Sequence, residues 1–145
     1  MAYKKIKPYE MTEEALREIW RVEYCETDIQ TFDGILVQFY SNMFDHCFYE
    51  SANRFKKDKS ILSYNRLEKI YWIKEALRDP DAVLKVGWDA QSKSYNNSRR
   101  VTLVKGNYIV VIIIFGSKKA RFITAYEVDD EQNLGKILES PDFGK

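Results

Sequence analysis

Cysteine and histidine are scarce in this chain, which has two cysteines and one histidine among 145 residues. Cys25 and Cys47 form no CxxC pair, and a single histidine beside them is too few for the usual zinc ligand sets. The thiols are expected to be free in a reducing cytoplasm, with a disulfide between them as the open alternative. No metal site is predicted.

Long apolar runs and cofactor motifs are also absent. The longest apolar run, Ile109 to Phe115, is far too short to span a bilayer. The first residues lack the apolar stretch of a signal peptide. The chain has no HExxH, P-loop, dinucleotide glycine motif or GxSxG elbow. The sequence therefore disfavours membrane proteins and enzymes of nucleoside triphosphates or nicotinamides, and predicts a cytoplasmic protein without a cofactor.

What the chain does contain is typical of one globular domain. Hydrophobic residues make up 45% and charged residues 31%, and the formal net charge is +1. Because the charges nearly balance, any surface for nucleic acid must come from a local concentration of basic residues. The tyrosines, ten in all, suit the core, an interface or stacking on bases equally well.

Helix signals occupy the first half of the chain and strand signals the second. Thr12 is expected to cap a helix that runs to about Glu23. Asn42, with Asp45 in capping-box position, and Ser63 are expected to cap two more helices. Strands are predicted over residues 35–40, 84–88, 99–104, 108–115 and 120–126, and a polar loop over 89–98.

The predicted fold is α+β, with N-terminal helices packed on one face of a four-stranded or slightly larger antiparallel sheet. Gly106-Asn107 suits a two-residue hairpin turn, and Gly116 to Lys119 a four-residue one. The helix after Ser63 is expected to end before Pro80 and to align Arg66, Ile70, Ile73 and Leu77 on one stripe. The three apolar residues are expected in the core, and the Arg66 side chain is expected to emerge at the capped end.

With these turns, directly opposed residues of the last three strands share a face. One face carries polar residues among apolar neighbours: Arg100, Thr102, Thr124 and Tyr126, with Phe122 beside them. The face that the helices are expected to cover consists of Val101, Leu103, Val110, Ile112, Ile114, Ile123 and Ala125, with Arg121 near its edge. Donors ordered across neighbouring strands are unusual for a purely structural sheet, and a slip of one residue in register would scatter them.

His46 is the one side chain whose ordinary pKa lies near neutrality. It falls on the opposite side of its helix from Phe44, Cys47 and Phe48. It is therefore expected at the surface, where it suits the role of a base. The plain alternative is a surface histidine without a role.

Arginine and hydroxyl side chains supply the rest of a candidate site. Arg66 and Arg100 can bind phosphate through the guanidinium fork, and Thr124 and Tyr126 can hold a phosphate or a ribose. The alternatives are structural: Arg66 covering a helix end, Arg100 solvated on a strand, and Thr and Tyr favoured by strands in general. Tyr95 can stack on a base or donate a proton, and the structural alternative is a loop aromatic that packs back on the core.

One reaction needs no more than a histidine, arginines and hydroxyl groups of this kind. RNA carries its own nucleophile, the 2′-OH. An enzyme then needs a base, an acid and a cation for the charge that develops on the phosphate oxygens. The residues therefore favour RNA cleavage without a metal or cofactor.

Several short segments occur in an order that resembles a group of nucleases. They are Phe44-Asp-His-Cys-Phe-Tyr-Glu-Ser, the helix from Arg66 to Pro80, Ser98-Arg-Arg-Val, Tyr108-Ile-Val-Val-Ile and Phe122-Ile-Thr-Ala-Tyr. Over residues 34–128 this order is similar to phage and toxin-associated nuclease domains of the barnase–EndoU–colicin–RelE-like superfamily. Such domains place helices before a four-stranded antiparallel sheet.

The resemblance implies a domain organisation, a function and a site. Residues 34–128 would form a toxin-like endoribonuclease domain, 1–33 a helical extension and 129–145 a tail, all in one compact unit. Its catalytic residues would be His46, Arg66, Thr124 and Tyr126, and its substrate-binding residues Arg100, Tyr95 and Thr102. A tRNA or mRNA substrate and an antitoxin or immunity protein are further implications. A non-catalytic RNA- or protein-binding module of phage origin is the alternative.

Overall fold

A computed structural model gives the structure of residues 3–50, 61–89, 94–128 and 130–139, with the backbone alone for 50, 86–89 and 94–100. The α-helices of this part of the chain are α1 (Glu13–Trp20), α2 (Met43–Phe48), α3 (Tyr64–Leu67), α4 (Trp72–Arg78) and α5 (Glu131–Leu138). Its strands are β1 (Ile29–Gln30), β2 (Leu36–Gln38), β3 (Tyr49–Glu50), β4 (Ile61–Leu62), β5 (Val83–Asp89), β6 (Ser94–Lys105), β7 (Tyr108–Phe115) and β8 (Lys119–Glu127). The fold class is α+β, as predicted.

Six strands form one mixed sheet in the order β1-β2-β8-β7-β6-β5, and β3 pairs with β4 apart from it. The strands from β5 to β8 are antiparallel neighbours, as predicted. β2 instead pairs in parallel with the start of β8, with Val37 opposite Ala120. The expectation of a wholly antiparallel sheet is therefore wrong at this end. The long segment between β2 and β8 supplies the crossover that a parallel pair requires.

The first two helices begin where they were predicted. The Thr12 hydroxyl accepts a hydrogen bond from the Ala15 N–H at 3.0 Å and caps α1. The Asn42 side chain makes no capping bond at α2, and Asp45 pairs with Arg17 of α1 instead. The predicted capping box is wrong, because Asn42 has a helical backbone conformation rather than the extended one of a capping residue. No helix in the described residues is long and apolar enough to cross a membrane.

The single helix expected between Ser63 and Pro80 is divided into α3 and α4. Ser63 caps α3 as predicted, by accepting a hydrogen bond from the Arg66 N–H. After α3 the backbone bonds reach back three residues rather than four, as from Ile70 N to Leu67 O at 3.0 Å. These tighter turns change the direction of the chain before α4 begins.

Lys69 lies in the turn between α3 and α4, and its side chain is only 1% exposed. Its Nζ lies 2.9 Å from a Glu68 oxygen, 3.4 Å from Glu127 on β8 and 3.0 Å from the Asn65 carbonyl. A buried ammonium needs such partners because its desolvation is costly. The ion pair between Lys69 and Glu127 thus joins the turn to the sheet, and the helical periodicity of the sequence does not predict it.

The main core lies between the helices and the inner face of the sheet. Ile70, Ile73 and Leu77 are fully buried, which confirms the predicted apolar part of the stripe. Aromatic rings from α1 and the helical turn after it, from α2, from β8 and from the residue after β2 pack on one another in this core: Trp20, Tyr24, Phe48, Phe122 and Phe39. The segment predicted as an N-terminal extension therefore contributes to the same core as the sheet.

The hairpin turns follow the prediction closely but not completely. Lys105 pairs with Tyr108 across a two-residue turn, where Gly106 has a φ of 61° that favours glycine. Phe115 pairs with Lys119, so the second turn has three residues rather than four. The loop predicted over 89–98 is too long, because β5 extends through residue 89 and β6 begins at 94.

A register shift in β8 changes which residues face the core. Val111 pairs with Thr124, but its neighbour Ile112 pairs with Phe122, so Ile123 is the extra residue of a β-bulge. Phe122 is fully buried in the main core, and Ile123 packs on the outer face of the sheet. The predicted faces of these two residues are wrong, because one extra residue inverts the alternation beyond it.

α5 covers part of the outer face. Its Leu134 and Ile137 pack on an apolar cluster that includes Ile109 and Val111. α5 belongs to the segment predicted as a tail, and it packs on the sheet from outside the main core. The outer face is not the open polar surface that the register indicated, and Thr102 on it is only 9% exposed.

Candidate functional site

His46 lines a pocket beside β8. Because α2 buries Phe44, Cys47 and Phe48, it turns His46 towards solvent. The pocket has a volume of about 380 Å³. Its described lining residues are Tyr40, Asn42, Met43, His46, Arg121, Phe122 and Ile123. An imidazole and a guanidinium therefore share one pocket.

Arg121 lines this pocket because of the bulge in β8. It pairs with Ile113, and its exposed side chain lies between the buried Ala120 and Phe122. Within the part of the chain that the structure describes, no carboxylate forms an ion pair with it. A guanidinium without a competing carboxylate is available to bind phosphate.

Tyr40 forms another side of the pocket and is held at both ends. Its hydroxyl donates a hydrogen bond to Gln38 Oε1 at 2.7 Å. Its backbone carbonyl accepts one from the Trp20 indole at 3.0 Å. The side chain is nevertheless 48% exposed. A fixed aromatic ring that is half open to solvent suits stacking on a base.

A polar cluster orients α2 against α1. Arg17 pairs with both Glu13 and Asp45, and the Tyr49 hydroxyl donates to Glu13. The bond from Tyr49, followed by that from Arg17, lowers the pKa of the Glu13 carboxyl. Because these groups are largely exposed, they orient α2 more than they stabilise the fold.

Arg66 closes the C-terminal end of α2. Its Nη1 donates to the Cys47 carbonyl at 3.0 Å, and the Ser63 N–H donates to the Phe48 carbonyl at 2.7 Å. These carbonyls belong to the last turn of α2, where no further helical N–H reaches them. The guanidinium also lies 5.5 Å from the centre of the Tyr126 ring. Arg66 is therefore half-buried and engaged in structural contacts.

Thr124 and Tyr126 meet Arg66 around Cys47. The Thr124 hydroxyl lies 4.0 Å from the Cys47 sulfur, and the Tyr126 ring lies under the guanidinium. The structure thus brings together three of the four predicted catalytic residues. These three do not line the described part of the His46 pocket, although His46 directly precedes Cys47 on α2.

Of the three predicted substrate-binding residues, only Thr102 has a side chain in the described part of the structure, and it does not line the described part of the His46 pocket. Thr102 pairs with Val111 and is nearly buried, which leaves little surface for a substrate. The backbone of Arg100 pairs with that of Ile113, as the register predicted. The Arg100 and Tyr95 side chains lie outside the described part of the chain.

Arg121 and Tyr40 are the site residues that sequence reasoning missed. A strand without a bulge assigned Arg121 to the helix-covered face and Phe122 to the polar face. No local pattern marks the bulge, because Ile123 is an ordinary strand residue. The signal that was available is the unfavourable prediction itself, which put the charged Arg121 on the covered face and the apolar Phe122 on the polar face. A shift of one residue in register reverses both positions.

Metal ligands and reactive thiols are two other kinds of group that could carry chemistry in the described residues. Among the described residues, no cluster of three or more His, Cys, Asp or Glu side chains is arranged to hold a metal ion. Cys25 and Cys47 are both in the thiol form, as expected, and Cys47 is buried.

Comparison with known proteins finds no matching family model, curated protein or solved structure. The resemblance to the nuclease superfamily therefore stays an expectation that rests on the order of short segments.

Proposed function

We propose that this protein is a metal-independent endoribonuclease whose active site is the pocket lined by His46 and Arg121. The observation that carries the proposal is that one open pocket holds both an imidazole and an exposed guanidinium. These two groups supply a base and a cation, which cleavage of RNA by its own 2′-OH requires.

The chemistry assigns one step to each group. His46 accepts the proton of the 2′-OH while that oxygen forms a bond to phosphorus. Arg121 stabilises the negative charge that develops on the non-bridging oxygens. The bond from phosphorus to the 5′ oxygen then breaks, and this oxygen takes up a proton from water in the open pocket. The products are a 2′,3′-cyclic phosphate and a free 5′-OH.

Arg66, Thr124 and Tyr126 take a positioning role in this proposal rather than the catalytic role that the resemblance implies. Arg66 holds the last turn of α2 through Cys47, the residue after His46. Membership of the barnase–EndoU–colicin–RelE-like superfamily remains part of the proposal. A tRNA or mRNA substrate and an antitoxin partner remain predictions of the same resemblance.

The test is incubation of the purified protein with total RNA, with and without EDTA, followed by mapping of the new ends. We expect cleavage that EDTA does not change and ends that carry 2′,3′-cyclic phosphates. An oligonucleotide with a 2′-deoxy sugar at the cleavage site should remain intact because it lacks the nucleophile. RNA that stays intact with the wild-type protein would overturn the proposal.

Variants connect the activity to the pocket. His46→Ala should lower the cleavage rate by about 100-fold or more, the usual contribution of a general base. Arg121→Gln should lower it by a similar factor. Arg78→Gln is the matched control, because Arg78 is an exposed arginine at the end of α4, and it should keep the wild-type rate. Equal activity of His46→Ala and wild type would point to a contaminating ribonuclease.

A non-catalytic RNA- or protein-binding module is the second candidate, and one observation favours it. Arg66 is engaged with Cys47 and Tyr126 and does not line the described part of the His46 pocket. Tight binding of RNA by a wild-type protein that leaves every RNA intact would select this alternative. Binding that survives Arg121→Gln would place the RNA elsewhere on the surface.

A further inference from the structure

Three cations follow one another where β8 begins: Lys118, Lys119 and Arg121, named here the basic strip. All three side chains are exposed. Along β8 the exposed Lys119 and Arg121 alternate with buried residues, so both lie on the outer face, about 7 Å apart as alternate strand residues. Lys118 lies in the turn just before them.

The backbone of the basic strip is fixed by β2. The Leu36 N–H donates to the Lys118 carbonyl at 2.9 Å, and Leu36 pairs with Lys119 in the parallel register. Gly116 opens the turn with a φ of 68°, a conformation that glycine adopts without strain. The cations are therefore held on a rigid base, which lowers the ordering cost of binding.

The basic strip lacks acidic partners. Among the described residues, none of its three cations forms an ion pair, whereas Arg17, Arg21 and Lys74 all pair with glutamates. The whole chain carries a net charge of only +1. Three neighbouring cations without partners are therefore a local concentration of positive charge that suits a polyanion.

The basic strip leads directly into the His46 pocket. Arg121 belongs to both, and Tyr40 lies in the pocket with its ring half-exposed. Gln38, which accepts the hydrogen bond from the Tyr40 hydroxyl, pairs with Arg121 in the sheet. A line of cations that ends beside an exposed ring is the arrangement that binds single-stranded nucleic acid, through its phosphates and by base stacking.

We infer that the basic strip binds the phosphodiester backbone of single-stranded RNA next to the cleaved bond, while Tyr40 stacks on a neighbouring base. This inference rests on the proposed function, since it gives the substrate a path into the same pocket. It favours unpaired RNA over a duplex because stacking on Tyr40 requires a base that is free of its helix.

The test uses a short fluorescent single-stranded oligonucleotide with 2′-O-methyl sugars, which cannot be cleaved because the nucleophile is blocked. Its affinity is measured by anisotropy at several salt concentrations. For Lys118→Gln with Lys119→Gln, we expect the slope of log K against log salt to fall by about 1.4, roughly 0.7 for each phosphate that is no longer neutralised. Tyr40→Leu should weaken binding about tenfold without changing the slope.

Lys4→Gln with Lys7→Gln is the matched control, because both are exposed lysines of the N-terminal segment and the change in charge is the same. It should leave the slope unchanged. An equal loss of slope in both double variants, or no loss in either, would overturn the inference. Poly-glutamate that binds as tightly as the oligonucleotide would assign the basic strip to acidic proteins and overturn it as well.

The cleavage assay separates this inference from the proposed function. If wild type cleaves RNA and the Lys118 and Lys119 double variant keeps both KM and salt slope, the inference alone fails. If wild type binds the oligonucleotide as expected but cleaves no RNA, the proposed function alone fails. Unchanged melting temperatures would show that the variants are folded, which their exposed positions predict.

Discussion

Replacing Arg66 by Met should destabilise the protein by about 2 kcal/mol. The charge-assisted hydrogen bond from Nη1 to the Cys47 carbonyl contributes about 1.5 kcal/mol, the low end for such bonds because Arg66 is only half-buried. The contact with the Tyr126 ring at 5.5 Å adds about 0.5 kcal/mol. Methionine keeps most of the apolar stem, so the packing around it changes little.

Thermal unfolding by circular dichroism measures this change. A loss of about 2 kcal/mol corresponds to a melting temperature lower by roughly 6 °C for a chain of this size. Arg78→Met, which removes an exposed arginine from the end of α4, should stay within about 0.5 kcal/mol of wild type. A double-mutant cycle of Arg66→Met with Tyr126→Leu should give a coupling of about 0.5 kcal/mol, the ring contact alone.

The same variant tests whether Arg66 contacts substrate. If Arg66 only closes the end of α2, the cleavage rate of Arg66→Met should fall because His46 is less well positioned. The rate relative to wild type should then recover in part at low temperature, where the end of the helix is better ordered. An unchanged melting temperature together with a loss of cleavage would refute this reasoning and return Arg66 to a catalytic role.

Two further predictions concern the core. Phe122→Ala should lower the free energy of unfolding by about 3–5 kcal/mol because it empties a fully buried site. Ile123→Ala should lower it less, since Ile123 is only partly buried. Equal losses in urea titrations would contradict the bulge. Burial raises the pKa of the Tyr24 and Tyr108 phenols well above their usual range. Because the folded pKa values are raised, their contribution to stability is complete below about pH 10 and is lost as pH rises above it. Urea midpoints should therefore decline above about pH 10, and less steeply in Tyr108→Phe; an equal decline would exclude Tyr108 as a cause.

Local patterns predicted most of the elements correctly. Capping by Thr12 and Ser63 depends on hydroxyls bonding to N–H groups three residues ahead, so both helix starts follow from nearby residues. Gly106-Asn107 likewise predicted the β6–β7 turn because a two-residue turn needs positive φ. The division between α3 and α4 was not predicted, because the spacing of Ile70, Ile73 and Leu77 suits one continuous helix. The turn instead brings Lys69 to Glu127, and a contact between residues so far apart in sequence leaves no local pattern.

The candidate site was predicted only in part, for a similar reason. The exposure of His46 follows from the apolar face of α2. The association of Arg66, Thr124 and Tyr126 was also expected, although it surrounds Cys47 and leaves His46 in a neighbouring pocket. Arg121 was assigned to the wrong face, because the prediction did not include the bulge at Ile123, which accompanies the burial of Phe122 in the core.

The sequence by itself determined the fold class, the starts of α1, α2 and α3, the four antiparallel strands β5 to β8 and the outward position of His46. Each of these depends on periodicity or on bonds between residues close in the chain. Only the tertiary structure decided that β2 joins β8 in parallel, that α5 covers part of the outer face and that Arg121 lines the His46 pocket. These features depend on burial between distant segments, and a shift of one residue in register reverses the face of every side chain beyond it.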